Sequence, residues 1–510
     1  MPETPPTLSP KPIAQQEGET LTGRVARGAI WILGAGLSAR ILGAVNMIIV
    51  ARLLAPGDIG LVAVATITMQ LLQGFSDIGV SQAVVKFQDA DRDDLDTLFT
   101  LAVLRGLIIG LLLAGAAPFA AAFYDDPRML GAFFGVAVFP VIMGFLNPRF
   151  FEFERDLKFS REFVTTVLNR LAGVTVSIAI AVMFRTYWAI ILGMLTGGVV
   201  QLFLSYLLRP FAPRLSFRSF RKVFGFSSWL AGVSFMAALN NKLDVPILAR
   251  IAGAGGAGFY FMGLQLSEMI TGQLAAPLTR ALYPGLSALQ RDVERMRQAF
   301  LRGVAALGAF AMPVAFGFAF IAEDLTALLL GEKWTPVVAV IQILAPVVGL
   351  QSLFYATQSY AVALGLTRLV FFRELIFFLV RFPIFVWAAI NHGLRGAVIA
   401  AAVLGVFHVI LSLALYGRAS GRSFWDPLIG ARRSFAAVAC MAIYFLMIRA
   451  GLPMISAAPA IMRLMADALI GGGVYLLAHV VFWVLEGRPD SVEKRVLDTI
   501  TAFSRRLSRN

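Results

Sequence analysis

Long apolar segments divide this chain fourteen times, each bounded by a short polar or charged connection. A helix that crosses the hydrocarbon of a bilayer needs roughly 20 predominantly apolar residues. In lipid every backbone N–H and C=O must be satisfied internally, which leaves helices or closed barrels as spanning structures. The segments fall at 29–51, 59–83, 97–122, 129–147, 163–183, 187–208, 224–250, 257–282, 299–322, 336–364, 369–390, 394–416, 434–456 and 461–485. Their length reads as helix rather than strand, so the expected fold is an all-α polytopic membrane protein with about fourteen transmembrane helices. The narrowest separation is Asn391-His392-Gly393. Composition agrees: 58% of the 510 residues are hydrophobic and 15% charged, against about 45–50% and 25% in soluble domains.

Basic residues set the expected orientation. The two tails and the connections on their side carry 29 Lys and Arg, and the opposite connections and margins carry eight. The positive-inside rule then places both termini in the cytoplasm. The tryptophans Trp31, Trp188, Trp229, Trp334, Trp387, Trp425 and Trp483 fall near span ends, as an interfacial belt does. The net charge of +14 follows this topology, which points to anionic lipid headgroups as partner and not to nucleic acid. Residues 1–24 read as a disordered cytoplasmic tail without a signal-peptide pattern, and 486–510 as a basic cytoplasmic tail. Phe150–Phe163 mixes aromatics with charges and reads as an amphipathic elbow on the cytoplasmic face.

A shift of 198 residues lays the first helix pair on the seventh and eighth. Trp31, Gly34, Ala39, Ile49, Ala51 and Arg52 then meet Trp229, Gly232, Ala237, Ile247, Ala249 and Arg250. Gly57, Gly60, Gly74 and Ala83 meet Gly255, Gly258, Gly272 and Ala281. Six helices separate the copies, so both run in the same direction. The expected architecture is two six-helix lobes, 25–208 and 224–416, related by an axis along the membrane normal. A linker at 209–223 joins them, and 434–485 supplies two further helices.

Seven basic residues lie inside apolar spans; Arg280 and Arg302 are near span ends, and Arg40, Arg105, Arg170, Lys242 and Arg381 lie deeper. An isolated charge in hydrocarbon costs from about 3 to above 10 kcal/mol, so such residues face a bundle interior or a wet cavity. A cationic cavity suits an anionic ligand, and guanidinium forks suit phosphate oxygens. The five are therefore the candidate anion-binding residues, and Arg40→Ala is expected to abolish transport. Asp244 and Glu268 are the central acids. Each either binds a coupling cation or pairs with a base across helices. Pro246 frees a backbone carbonyl and marks a bend and candidate hinge. Asn46, Gln70, Gln73, Asn240, Asn241 and Gln265 either meet sugar hydroxyls or hold helices together.

Enzyme signals fail. The run Gly253–Gly258 (GAGGAG) has dinucleotide-binding spacing but sits in a turn between two spanning helices, without a β-α-β unit. No Walker A sequence occurs. His392, His408 and His479 are scattered and suggest no metal site. No organic or metal cofactor is expected, and the single Cys440 allows no disulfide within the chain.

Short motifs carry a resemblance. Gly28-Ala-Ile-Trp31 opens the first helix, Ala51-Arg-Leu-Leu-Ala55 closes it, and Asp77-Ile-Gly79 ends the second. Leu248-Ala-Arg-Ile251 and Gly253-Ala-Gly255 close the seventh, and Gly331-Glu-Lys-Trp334 precedes the tenth. In this order, over about residues 25–485, the chain resembles the Wzx-type polysaccharide flippases of the colanic-acid and succinoglycan type, in the multidrug/oligosaccharidyl-lipid/polysaccharide superfamily. The resemblance implies two lobes in a V, and a non-enzymatic exporter in the bacterial inner membrane. It implies flipping of undecaprenyl-pyrophosphate-linked oligosaccharide for exopolysaccharide or lipopolysaccharide synthesis, driven by a Na+ or H+ gradient, beside polymerase and chain-length proteins. The alternatives are a multidrug/cation antiporter of the same fold and a lipid II flippase, whose arrangement the fourteen segments also resemble.

Overall fold

A computed structural model describes residues 21–75, 91–155, 159–219, 228–448 and 458–488. Most of both expected tails and part of the interlobe linker lie outside the described residues. The main helices are α1 (Leu21–Leu53), α2 (Pro56–Phe75), α3 (Arg92–Tyr124), α4 (Arg128–Gly144), α5 (Phe159–Phe184), α6 (Trp188–Leu208), α7 (Ser228–Lys242) and α8 (Asp244–Ala288). They continue as α9 (Val293–Phe320), α10 (Ala322–Leu329), α11 (Thr335–Ser352), α12 (Tyr355–Ala363), α13 (Thr367–Ser420), α14 (Arg432–Ile443) and α15 (Ala460–Leu485). No strand occurs among the described residues. Nine helical stretches among them are long and apolar enough to cross a membrane, and each expected span has helix within it.

Two of these helices double back. Tyr260 donates from its hydroxyl to Asp244 at 2.6 Å, although sixteen residues of straight helix span about 24 Å. The reversal is at Gly253, with φ 71° and ψ 174°. In α13, His408 lies 3.8 Å from Glu374, and the reversal is at Gly393, with φ 57° and ψ −141°. Both positions need backbone angles that glycine adopts readily and side-chain-bearing residues do not. The sequence places connections at these two sites, and each is reduced to a one-glycine corner.

The repeat is visible as a contact. A Cβ added to Gly60 would lie 1.9 Å from the Ala254 carbonyl oxygen, and one added to Gly258 would lie 2.0 Å from that of Pro56. Pro56 and Ala254, like Gly60 and Gly258, are 198 residues apart. Each half therefore offers the same surface to the other, as at a twofold axis. The α2–α8 crossing sits on that pseudo-axis, and only glycine lets the backbones approach so closely. A buried apolar cluster, including Leu61, Ile109, Leu248, Phe377 and Phe385, runs through both halves around it.

Beyond the crossing, most helix pairs lie within one half, although α2 also meets α7. In the first, α3 pairs with α4, α5 with α6, and α1 with α5. The chain that leaves α6 is held along α3: the Arg214, Ser216 and Ser219 N–H groups donate to Asp96, Thr100 and Thr97 at 2.9, 2.8 and 3.2 Å. Residues 156–158 of the expected elbow lie outside the described residues. In the rest of it Phe150 and Phe153 are buried, the Arg209 and Arg161 guanidinium groups stack over the Phe153 ring, and Glu152 pairs with Arg149 and Arg209. Helices α14 and α15 pair with each other and dock on α9, where the Tyr475 hydroxyl donates to Ala309 at 3.0 Å. Arg463 at the start of α15 pairs with Asp324 of α10, and α1 ends beside the same region. The described N- and C-terminal helices thus begin and finish at one end of the bundle.

Candidate functional site

A cavity of about 740 Å³ lies within the second half, between α7, α8, α11, α12 and both arms of α13. Its polar groups come from three local features. Pro246 has no N–H to give the Lys242 carbonyl, and the helix breaks at Leu243, between α7 and α8. That break sets Asn240, Asn241, Lys242 and Asp244 around the wall. The Gly253 corner returns Tyr260, Leu264 and Glu268 to it. The Gly393 corner faces Arg373, Glu374 and Arg381 with His408 and Ser412.

Within the cavity the charges are paired. Asp244 accepts from Arg381 and from the Tyr260 hydroxyl, and the Arg381 guanidinium lies 5.4 Å over the Phe377 ring. Glu374 accepts from Arg373, and from Asn240 at 2.8 Å, with His408 at 3.8 Å. Breaking such a buried pair from one side costs about 3–5 kcal/mol, because the remaining charge is left uncompensated. Lys242 and Glu268 also face the cavity. Three bases therefore meet three acids, which corrects the expectation of a cationic site: the sequence shows the bases as isolated, and the fold brings their counterions to them. Of the two readings for Asp244, pairing across helices is the one the geometry takes.

A second cavity, of about 480 Å³, lies in the first half between α2, α3, α4 and the turn at Pro148–Phe151. Arg105 is its one charged lining residue among those described, and its guanidinium donates to the Gln73 carbonyl at 2.8 Å. The five expected bases are thus divided. Lys242 and Arg381 share one cavity, Arg105 stands in the other, and Arg40 and Arg170 lie on exposed faces of α1 and α5 and line neither. The reason is azimuthal. α1 packs on α5, and α5 on α1 and α6, but the faces that carry Arg40 and Arg170 are exposed, so a residue central in its span is not central in the bundle. Gln70 and Gln265 are likewise exposed, while Asn240 and Asn241 line the larger cavity and Gln73 the smaller. Asn46, the counterpart of Asp244 under the repeat shift, has a buried side-chain oxygen without a partner among the described residues.

Sequence reasoning missed Arg373, Glu374, His408 and Tyr260. Arg373 counts there as charge at a span margin, and His408 as an isolated histidine. The signal was the corner itself: pairing two antiparallel arms about Gly393 sets position 374 near 408. A third, mostly apolar groove of about 440 Å³ is lined by Ala44 and Ile48 of α1, Leu266 and Met269 of α8, Val314 of α9, and Gly471 and the buried Asp467 of α15. It lies between the halves and is closed on one side by the two added helices.

A family model described as polysaccharide biosynthesis protein matches residues 49–339. The lipopolysaccharide biosynthesis protein WzxC of Escherichia coli (strain K12) is 26% identical over 335 residues, covering 65% of this chain and 68% of that protein. The succinoglycan biosynthesis transport protein ExoT of Rhizobium meliloti (strain 1021) is 23% identical over 472 residues, covering 90% and 92%. Among solved structures, the lipid II flippase MurJ in an inward closed conformation aligns with a TM-score of 0.68 at 13% identity, covering 90% of this chain and 99% of that one. An inward-facing multidrug resistance transporter of the MATE family aligns with a TM-score of 0.52 at 16% identity, covering 80% and 98%.

Proposed function

The chain belongs to the polysaccharide biosynthesis protein family, and from that premise we propose that it is a flippase that carries undecaprenyl-pyrophosphate-linked oligosaccharide across the bacterial inner membrane. The reading makes it a transporter and not an enzyme, with both termini in the cytoplasm and repeat units for exopolysaccharide or lipopolysaccharide as cargo. The observation that carries it is the larger cavity: arginines and a lysine held within apolar helices, in a volume within the range of about 300–1,000 Å³ that ligand sites occupy.

The pairing suggests how an anion is taken up. Pyrophosphate oxygens accept from a guanidinium in the same two-pronged geometry as a carboxylate. A headgroup that enters exchanges with Asp244 on Arg381 and with Glu374 on Arg373. The displaced carboxylates are then buried without their arginine counterions, and a proton or Na+ lowers that cost. Coupling to an ion gradient follows from this exchange, with Asp244 and Glu268 as the acids that face the cavity beside Glu374. Asn240, Asn241 and Gln73 supply amides for the first sugars, Arg105 a second basic station in the other half, and Arg40 and Arg170 stations outside the cavities. The apolar groove between α1 and α8 suits the prenyl chain. Pro246 and the break at Leu243 provide a hinge for motion between the lobes 25–208 and 224–416.

The test is complementation. The chain is expressed in bacterial strains that each lack one flippase, either for an exopolysaccharide repeat unit or for lipid II. Restored surface polymer with a drained lipid-linked pool is the expected result in the first strain. Rescue of the lipid II strain alone would reassign the substrate. The balance of acids and bases favours a second reading, a multidrug/cation antiporter. Lowered drug accumulation without polymer rescue would select it.

A further inference from the structure

Two of the motifs recognised in the sequence grip each other across the halves, at the end of the bundle away from the described termini. The last carbonyls of α1 have no partners within the helix. They are taken by the 331–334 segment of the other half: Trp334 donates from its indole nitrogen to Ala51 at 2.8 Å, and the Lys333 ammonium donates to Arg52 and Leu54, both at 2.7 Å. The grip is reciprocal. Arg52 turns back and donates to the carbonyls of Leu328 and Leu329, the second at 2.8 Å, which are the unpartnered C-terminal carbonyls of α10. Cations suit a helix C-terminus, so each half caps a helix end of the other. Gly331, at φ 92°, makes the turn that aims Lys333 and Trp334. Trp334 and Ala51 are fully buried, beside Leu266 and Val337.

The repeat counterpart of this contact is much weaker. Arg250 corresponds to Arg52, and it reaches only the face of Phe123, at 5.5 Å, in the first half. The Gly60–Gly258 crossing begins a few residues beyond Arg52 and Arg250. The two contacts are thus adjacent to the pseudo-axis and unequal in strength.

We infer that Arg52, Lys333 and Trp334 form the gate that seals this end of the transport path and must part for cargo to leave on that side. The inference rests on the flippase reading for its purpose, but not for its geometry. All of its bonds run between side chains and main-chain carbonyls of opposite halves, so separation of the halves here breaks them together. The Arg250–Phe123 contact is the side that yields first. These are positioning residues: they hold one closed arrangement and touch no cargo.

The test uses the full chain in cells, with Cys440→Ser as background and one cysteine placed at Leu264 on the cavity wall. A membrane-impermeant maleimide is added from outside. Lys333→Met with Trp334→Phe removes the donors and keeps the bulk. Labelling at position 264 should then rise at least several-fold over the background chain, and Arg250→Ala should raise it less. In a second arm, cysteines at Arg52 and Lys333 are joined by a reducible dithiol crosslinker. Export in the complemented strain should stop on crosslinking and return on reduction, a reversal that misfolding does not show. Unchanged labelling of the Met/Phe variant, or full export by the crosslinked chain, overturns the gate. Absence of export by the uncrosslinked parent bears instead on the flippase reading, and the labelling arm then decides the gate alone.

Discussion

Arg381 and Asp244 set the terms for every charge in the larger cavity, because each is the other's counterion in a bundle of apolar helices. Arg381→Ala leaves Asp244 buried with the Tyr260 hydroxyl as its remaining partner. We expect a loss of about 3–5 kcal/mol in stability, the usual cost of breaking a buried pair from one side. Asp244→Asn with Arg381→Gln should recover most of that loss without recovering export, since the amide pair holds the fold and offers no cation to a pyrophosphate. Thermal unfolding in detergent, run beside polymer export, separates the two effects. Recovery of export by the double variant would remove Arg381 from the anion site. Arg40, exposed on α1, should matter less than the sequence implies, so Arg40→Ala is now expected to lower export by less than Arg381→Ala does. At the connection between α3 and α4, the Arg128 guanidinium hydrogen-bonded to Asp126 holds that carboxyl below its usual range. A depressed carboxylate contributes stability that is present above its unfolded value, about 3.9, and lost as pH falls through the lowered one. The Tm difference between the parent and Asp126→Asn should therefore be constant from pH 7 to 5 and shrink below about pH 4.

Helices rather than residues decide how much of this was legible in advance. Apolar length marks the spans, and Gly253 and Gly393 mark the two corners, because a helix cannot pass through the angles found there. Azimuth is another matter. Whether Arg170 faces a cavity depends on which side of α5 its neighbours cover, and one span carries no record of its neighbours. Glu374 and His408 are 34 positions apart in the sequence and meet only once α13 is folded at Gly393. The glycines of the repeat were legible as identities, and their use was not: identity does not say that Gly60 and Gly258 touch. That contact gives a prediction for the element. Gly60→Ala drives a methyl into the Ala254 carbonyl, and overpacking of this kind costs about 1–3 kcal/mol. Gly36→Ala, inside α1 where nothing stands within 4 Å, should not destabilise, and its better helix propensity adds up to about 1 kcal/mol. Equal melting of the two variants would deny that the α2–α8 crossing is a tight one.

Across the whole molecule, the repeat, the two polar cavities and the apolar groove describe one device. The halves meet at a pseudo-axis through Gly60 and Gly258. Each holds basic groups inside apolar helices, and a mostly apolar groove runs between them beside α14 and α15. The fold resembles that of the MurJ and MATE-family structures. In this chain Asp244 and Glu374 are already seated on Arg381 and Arg373, so on the flippase reading uptake of an anion is an exchange. The account stands or falls on direct flipping by the purified chain. Reconstituted in liposomes with a fluorescent polyprenyl-pyrophosphate oligosaccharide in the inner leaflet, it should deliver the sugar to an impermeant quencher outside. Delivery should speed up when a proton or Na+ gradient is imposed, and Arg381→Gln with Asp244→Asn should not deliver at all. Quenching by the double variant at the parent's rate, or none by the parent under either gradient, would contradict it.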